Sequence, residues 1–197
     1  VTADAHGLIR DEHFASYPTP YVVQRTGYRP KEVALTFDDG PDAVWTPKIL
    51  DILKAKQAVA TFFVIGENAL AHPLLLKRIL AQGSEIGNHS YTHPNMALVS
   101  PSGVRIELNT TQRLVEAYTG RAMRMVRIPY FGDAEPTTED ELGPVLRAQK
   151  AGYLNIGLHV DSEDWQRPGV QAILDNTFNA VEAGDEHRSG NIILLHD

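Results

Sequence analysis

Two adjacent acids and two histidines four residues apart are the groups in this sequence best suited to chemistry. Asp38 and Asp39 sit in the stretch Thr36-Phe37-Asp38-Asp39-Gly40-Pro41, directly after the apolar run Val33-Ala34-Leu35. Neighbouring carboxylates repel one another, and a chain that ends a core strand on them usually offsets the cost with a cation. Asp-Gly and Gly-Pro are also ordinary turn dipeptides, so this stretch alone leaves a polar turn and a metal or catalytic site both open. His89 and His93 bracket Ser90-Tyr91-Thr92. A spacing of four puts two imidazoles on one face of a helical turn. With one carboxylate they make a two-nitrogen, one-oxygen donor set. That set suits zinc with an open position for water, or ferrous iron as a facial triad, and spacing does not separate the two.

Two carboxylates beside a metal divide the labour: one ligates, and the other is free to take a proton from water. A second group must then protonate the leaving group. His196 suits that task, with Asp164 holding its ring as an acid–histidine dyad. Arg127 is a candidate partner for the free carboxylate, or half of a plain structural salt bridge. His6 and His13 read as surface histidines. His72 reads as the residue leading into a helix at Pro73, and His159 as a packed or rim histidine.

These residues need a scaffold that gathers them. The chain has 197 residues, 43% apolar and 22% charged, which is enough for one globular domain. A net charge of −7 with no basic run argues against nucleic acid as a partner. The absence of cysteine excludes disulfides, thiolate metal sites and a cysteine nucleophile. No apolar stretch approaches the length of a membrane span. Residues 1–32 are punctuated by proline and read as an extended lead-in, with a short strand or hairpin around Tyr21–Arg25, ahead of a domain over 33–197. The chain stops on His196-Asp197 directly after the apolar run Ile192–Leu195, which reads as a module cut from a longer protein with a segment missing downstream.

From Val33 onward strands and helices alternate. The strands are expected at Val33–Phe37, Ala60–Ile65, Glu85–Gly87, Met123–Ile128, Tyr153–His159 and Asn191–Leu195. The helices are expected at Thr46–Lys56, Pro73–Leu80, Ser102–Tyr118, Thr138–Ala151 and Val170–Ala183. Ile49, Leu50, Ile52 and Leu53 give the first helix an apolar stripe, and Gly83 and Gly120 suit left-handed helix ends. Thr138-Glu139-Asp140-Glu141 reads as a capping box. Apolar strands alternating with helices imply a parallel sheet covered by helices, either a barrel or a doubly wound sheet. No glycine-rich phosphate loop follows the first strand, which disfavours a dinucleotide-binding fold. Every chemical cluster falls just after a strand. Carboxyl ends of parallel strands gather at one crevice or barrel mouth, where ligands bind.

Five clusters in this order resemble the motifs of the polysaccharide deacetylases, the NodB-homology domains of carbohydrate esterase family four. They are Thr36–Pro41, His89–His93, Arg127-Ile128-Pro129-Tyr130, Asp161–Trp165 and Leu194-Leu195-His196. The resemblance implies an α/β fold, a distorted and incomplete (β/α) barrel, here lacking its last β/α unit. It implies a metal-dependent hydrolase that removes N-acetyl groups from a polysaccharide containing N-acetylglucosamine. An O-acetyl esterase and a catalytically silent carbohydrate-binding module are the alternatives. Asp38 would be the general base, and Asp39, His89 and His93 would hold a divalent metal, usually zinc, with cobalt or nickel as other options. Arg127 would restrain Asp38, Asp164 would orient the general acid His196, and the Tyr130 backbone would bind the oxyanion. Trp165, Leu194 and Pro129 would line the substrate pocket. A narrower similarity, in Phe131–Pro136 and Asp164–Gly169, is to deacetylase modules of large bacterial fusions carrying glycosyltransferase and chitinase-like domains. It implies an extracytoplasmic place at the cell surface or periplasm, a polysaccharide as partner, and no membrane contact by this segment itself.

Overall fold

Seven short strands lie side by side, all parallel, in one sheet. The computed structural model of the protein describes residues 2–3, 9–11, 22–24, 31–132, 134–186 and 191–197. A small antiparallel pair, β1 (Thr2–Ala3) and β2 (Ile9–Asp11), precedes the sheet. The sheet strands are β3 (Ala34–Asp38), β4 (Thr61–Val64), β5 (Glu85–Asn88), β6 (Met125–Val126), β7 (Leu154–Asn155), β8 (Val160–Asp161) and β9 (Ile192–His196). The helices are α1 (Trp45–Ala55), α2 (Gly66–Ala71), α3 (Pro73–Ala81), α4 (Pro101–Thr119), α5 (Glu139–Lys150) and α6 (Val170–Glu186). None of the described helices is long and apolar enough to cross a membrane.

The strand order β7-β6-β5-β4-β3-β9-β8 decides between barrel and doubly wound sheet. From β3 the chain steps one neighbour at a time to β7. The pairs β8–β9 and β9–β3 continue the same circular order. Among the described strands only the β7–β8 seam is left open, so the fold is an incomplete (β/α) barrel. The expected strand Tyr153–His159 explains the seam. It is split: Leu154–Asn155 pairs with β6, and Val160–Asp161 pairs with β9 at the opposite edge. Apolar content marks the segment as strand but carries no signal for a change of partner. At the seam, Val23 bridges Ile156, and Val22 is buried in the core. Tyr21, Arg25, His6 and His13 lie outside the described residues.

The helices follow their sequence signals with three corrections. Helix α4 begins at Ser100, whose hydroxyl accepts the Gly103 N–H, has Pro101 in its first turn, and ends at Gly120 with φ 72°. It buries Val104, Leu108, Thr111 and Val115, a stripe of helical period. Gly83, after α3, also takes a left-handed φ of 83°. In α1, Leu50 and Leu53 are buried, but Ile52 turns outward and is 60% exposed. The box at Thr138 is half formed: its hydroxyl accepts the Glu141 N–H, while the Glu141 carboxylate reaches Thr137 instead. Helix α2 was not expected, because Gly66 reads as a strand stop; here it opens a helix.

Candidate active site

Asp38 is the last residue of β3 and is 3% exposed. A buried carboxylate needs a cation. Arg127, equally buried at the end of β6, supplies it: its Nη1 donates to Asp38 Oδ1 at 2.7 Å and to Thr36 Oγ1 at 2.9 Å. The other guanidinium donors reach Ile156 O at 3.1 Å and Gly157 O at 2.7 Å, the carbonyls where the split strand leaves β6. The guanidinium also sits over the Phe63 ring, 4.5 Å from its centroid. Arg127 therefore holds the acid and stitches the seam with the same planar group.

Asp38 and Asp39 would face opposite ways in a continued strand. Asp39 instead has φ 76°, and both acids line one cleft of about 420 Å³. Gly40 follows because a Cβ there would run into the Asp197 carboxylate. The Asp39 Oδ1 atom is buried without a hydrogen-bond partner among the described residues. It lies 3.4 Å from His89 Nε2 and 3.3 Å from His93 Nε2. Those are the separations expected of donors sharing a tetrahedral ion at about 2.0–2.1 Å. The trio is also a group of possible metal ligands among the described residues, and an orphaned buried oxygen facing two imidazoles fits a divalent cation. His89 Nδ1 donates to Arg127 O at 2.7 Å, which leaves Nε2 for the cleft. Burial pushes Asp39 up, but the imidazoles of His89, His93 and His196 outweigh it and hold the carboxyl below its usual range. Burial, aided by His89, pushes His93 below the ordinary histidine value against the pull of Asp39 and Asp38. Neutral imidazole and ionised carboxylate are the forms that ligate.

The two histidines do not ride on a helical turn, as their spacing suggests. They flank a loop in which Ser90 has φ 66° and His93 φ 58°. Helix α2 anchors that loop: its first N–H groups, Gly66 and Glu67, donate to the carbonyls of Ser90 and Tyr91. The same helix reaches the acid turn, with Asn68 Nδ2 donating to Asp39 O at 2.7 Å. From α4, Glu107 accepts the Tyr91 N–H, the Thr92 N–H and the Thr92 hydroxyl, each at 2.8 Å. Sequence reasoning placed Thr36 in the first motif without giving it a role, and it missed Asn68 and Glu107. A single polar residue inside a helix carries no motif, so only the fold exposes these roles.

Across the cleft, His196 ends β9. Its Nδ1 pairs with Asp164 Oδ1 at 2.7 Å, and its backbone N–H donates to Asp164 Oδ2 at 2.8 Å. Burial alone would lower His196, but the hydrogen bond and charge of Asp164 outweigh it and raise the imidazole above its ordinary value. Burial likewise pushes Asp164 up, and its bonds to His196 outweigh that and hold it low. Leu194, Trp165, Ile128 and Tyr130 complete the walls. Tyr130 has φ 74°, and its ring sits 5.1 Å from that of His93. Pro129 is buried and does not line the cleft, whereas its neighbours Ile128 and Tyr130 do. Gly132 closes the turn after β6, donating its N–H to Ile128 O where a Cβ would collide with the Ile128 backbone. His72 joins α2 to α3, and His159 is exposed.

The sequence matches the family model for polysaccharide deacetylase over residues 25–156. The chain belongs to the polysaccharide deacetylase family. It is 38% identical over 178 residues to a chitooligosaccharide deacetylase of Sinorhizobium fredii, covering 89% of this chain and 76% of the relative. A solved peptidoglycan N-acetylglucosamine deacetylase is 35% identical, with a TM-score of 0.77 over 90% of this chain and 77% of that one. A pseudoenzyme of carbohydrate esterase family four from Bacillus anthracis has the same TM-score at 30% identity, covering 91% of this chain and 59% of that one. Polysaccharide deacetylase architecture alone therefore does not guarantee activity.

Proposed function

We propose that the protein is a metal-dependent deacetylase that hydrolyses the N-acetyl groups of a polysaccharide containing N-acetylglucosamine, outside the cytoplasm. One observation carries this reading. A buried acid, Asp38, and a paired histidine, His196, line the same cleft as three grouped metal donors, Asp39, His89 and His93. The substrates named for the chitooligosaccharide and peptidoglycan relatives, both acetylated glucosamine polymers, support it.

Asp39, His89 and His93 would hold the ion, with zinc the ion their donor set suits. When bound, it supplies Lewis-acid polarisation and lowers the pKa of water to about 7. Asp38 accepts a proton from the attacking water, and Arg127 keeps that carboxylate in place. The Tyr130 N–H donates to the oxygen of the tetrahedral intermediate. His196, held by Asp164, gives its proton to the sugar nitrogen as the C–N bond breaks. Acetate and a free amine leave. Leu194 and Trp165 enclose the acetyl methyl.

The test is acetate release from chitin oligomers, peptidoglycan and O-acetylated xylan by zinc-loaded protein. Release from the N-acetylated glycans supports the reading. Release from xylan alone makes the protein an O-acetyl esterase. Zinc binding without acetate from any glycan makes it a silent binding module.

A further inference from the structure

Tyr153 carries a buried hydroxyl that the proposed chemistry does not use. It stands just before β7, and burial pushes its pKa up to about 12, so the group stays a neutral O–H. It donates to Gln112 Oε1 at 3.1 Å and accepts from Asn88 Nδ2 at 3.1 Å. Gln112 belongs to α4, and Asn88 is the last residue of β5, directly before His89. Asn88 is fully buried. Its Nδ2 also donates to Leu108 O at 2.9 Å, and its Oδ1 accepts the Ser90 N–H at 2.9 Å.

The direction of each bond in this relay is forced. The Met123 N–H also donates to Gln112 Oε1, at 3.3 Å, so that atom is an acceptor. The Tyr153 hydroxyl must then donate to it, and its oxygen is left to accept a proton from Asn88. That holds Asn88 Nδ2 towards Tyr153 and Oδ1 towards Ser90. Ser90 is buried and has a left-handed φ of 66°, a conformation that favours glycine. Its N–H is held by Asn88, and its carbonyl by the Thr111 hydroxyl at 2.8 Å and the Gly66 N–H at 3.0 Å. Its own hydroxyl accepts the His93 N–H at 3.0 Å. Ser90 is thus bonded covalently to one metal histidine and by a hydrogen bond to the other.

We infer that Tyr153 is a positioning residue for His89 and His93, acting through Asn88 on Ser90. Its consequence for the metal rests on the metal-dependent reading; the relay itself does not. Without the tyrosine hydroxyl, one N–H of the buried Asn88 carboxamide has no acceptor, which is costly. The carboxamide relieves that cost by turning. Turning releases the Ser90 N–H, and the loop between the two histidines loosens.

The test compares wild type, Tyr153→Phe and Leu53→Val, the last removing a buried methylene in α1 to lower stability away from the relay. Zinc affinity is measured by calorimetry, ligand geometry by the visible absorption of cobalt-loaded protein, and loop opening by amide hydrogen exchange. Tyr153→Phe is expected to bind zinc about three- to tenfold more weakly, the effect of one neutral hydrogen bond. Its cobalt spectrum should shift, because the metal's coordination geometry changes. Its Ser90 and His93 amides should exchange about three- to tenfold faster relative to those of β4. Leu53→Val should lower the melting temperature and match wild type in all three readouts. Wild-type zinc affinity and cobalt spectrum in Tyr153→Phe overturn the inference. So do equal changes in Leu53→Val, which would mark them as effects of lost stability. If wild type binds neither zinc nor cobalt, the metal-dependent reading fails on its own. Exchange at Ser90 and His93 in the metal-free proteins then decides the relay: faster in Tyr153→Phe supports it, and unchanged overturns it.

Discussion

Asp38 and His196 are direct register partners at the ends of the adjacent parallel strands β3 and β9. Register partners on parallel strands point to the same face of the sheet. The ladder therefore sets the proposed base and acid side by side at one mouth. Residue 197 extends the link, its N–H donating to Asp38 O at 3.1 Å. The central backbone ladder, rather than a flexible loop, fixes the spacing between the two.

Arg127→Ala should destabilise the protein by about 3–5 kcal/mol, the range for leaving a buried charge unpaired. It also strands the Ile156 and Gly157 carbonyls at the barrel seam. Arg127→Lys should not rescue, because an ammonium cannot serve Thr36, Asp38, Ile156 and Gly157 with one planar fork. A double variant, Asp38→Ala with Arg127→Ala, should lose less stability than the sum of the singles. Urea denaturation measures all four.

Glu107→Ala should weaken zinc binding about 10- to 100-fold without removing a ligand. The carboxylate holds the loop between His89 and His93 by three hydrogen bonds. Calorimetric titration of the variant with zinc checks this, and its melting temperature separates loop release from global unfolding.

The His196–Asp164 pair sets a pH window for stability. The raised imidazole contributes stability that is whole below its unfolded value of about 6.5 and is lost as pH rises through the folded value. The lowered Asp164 contributes stability present above its unfolded value of about 3.9 and lost as pH falls through the folded value. Asp164→Asn should therefore cost most between about pH 4 and pH 6.5, and progressively less on either side. In kcat/KM profiles the alkaline limb should move to lower pH in this variant, because His196 loses the group that keeps it protonated. Denaturation and rate profiles over pH test the two parts separately.

The chemistry of this site was more legible in the sequence than its support. Asp38, Asp39, His89, His93, Arg127, Asp164, Trp165, Leu194 and His196 stand in short runs at strand ends, and a parallel sheet brings such ends together. Asn68 and Glu107 act through contacts between elements distant in the chain, so no local pattern marks them. Strand–helix alternation left the barrel as one of two options, and the motif resemblance pointed to the incomplete barrel that the strand order shows. The seam was not readable at all, because it depends on Tyr153–His159 changing partners partway. Pro129, expected in the cleft wall, is buried, while its motif neighbours Ile128 and Tyr130 line the cleft.

The central claim is that Asp39, His89 and His93 bind the metal while Asp38 acts on water without binding it. Zinc content and acetate release, measured on the same preparations of wild type, Asp38→Asn and His93→Ala, test it most directly. Asp38→Asn should keep its zinc and lose about 10²- to 10⁴-fold in rate, the usual contribution of a general base, while His93→Ala should lose both zinc and activity. An Asp38→Asn protein that deacetylates at the wild-type rate, or a His93→Ala protein that keeps both zinc and activity, would contradict it.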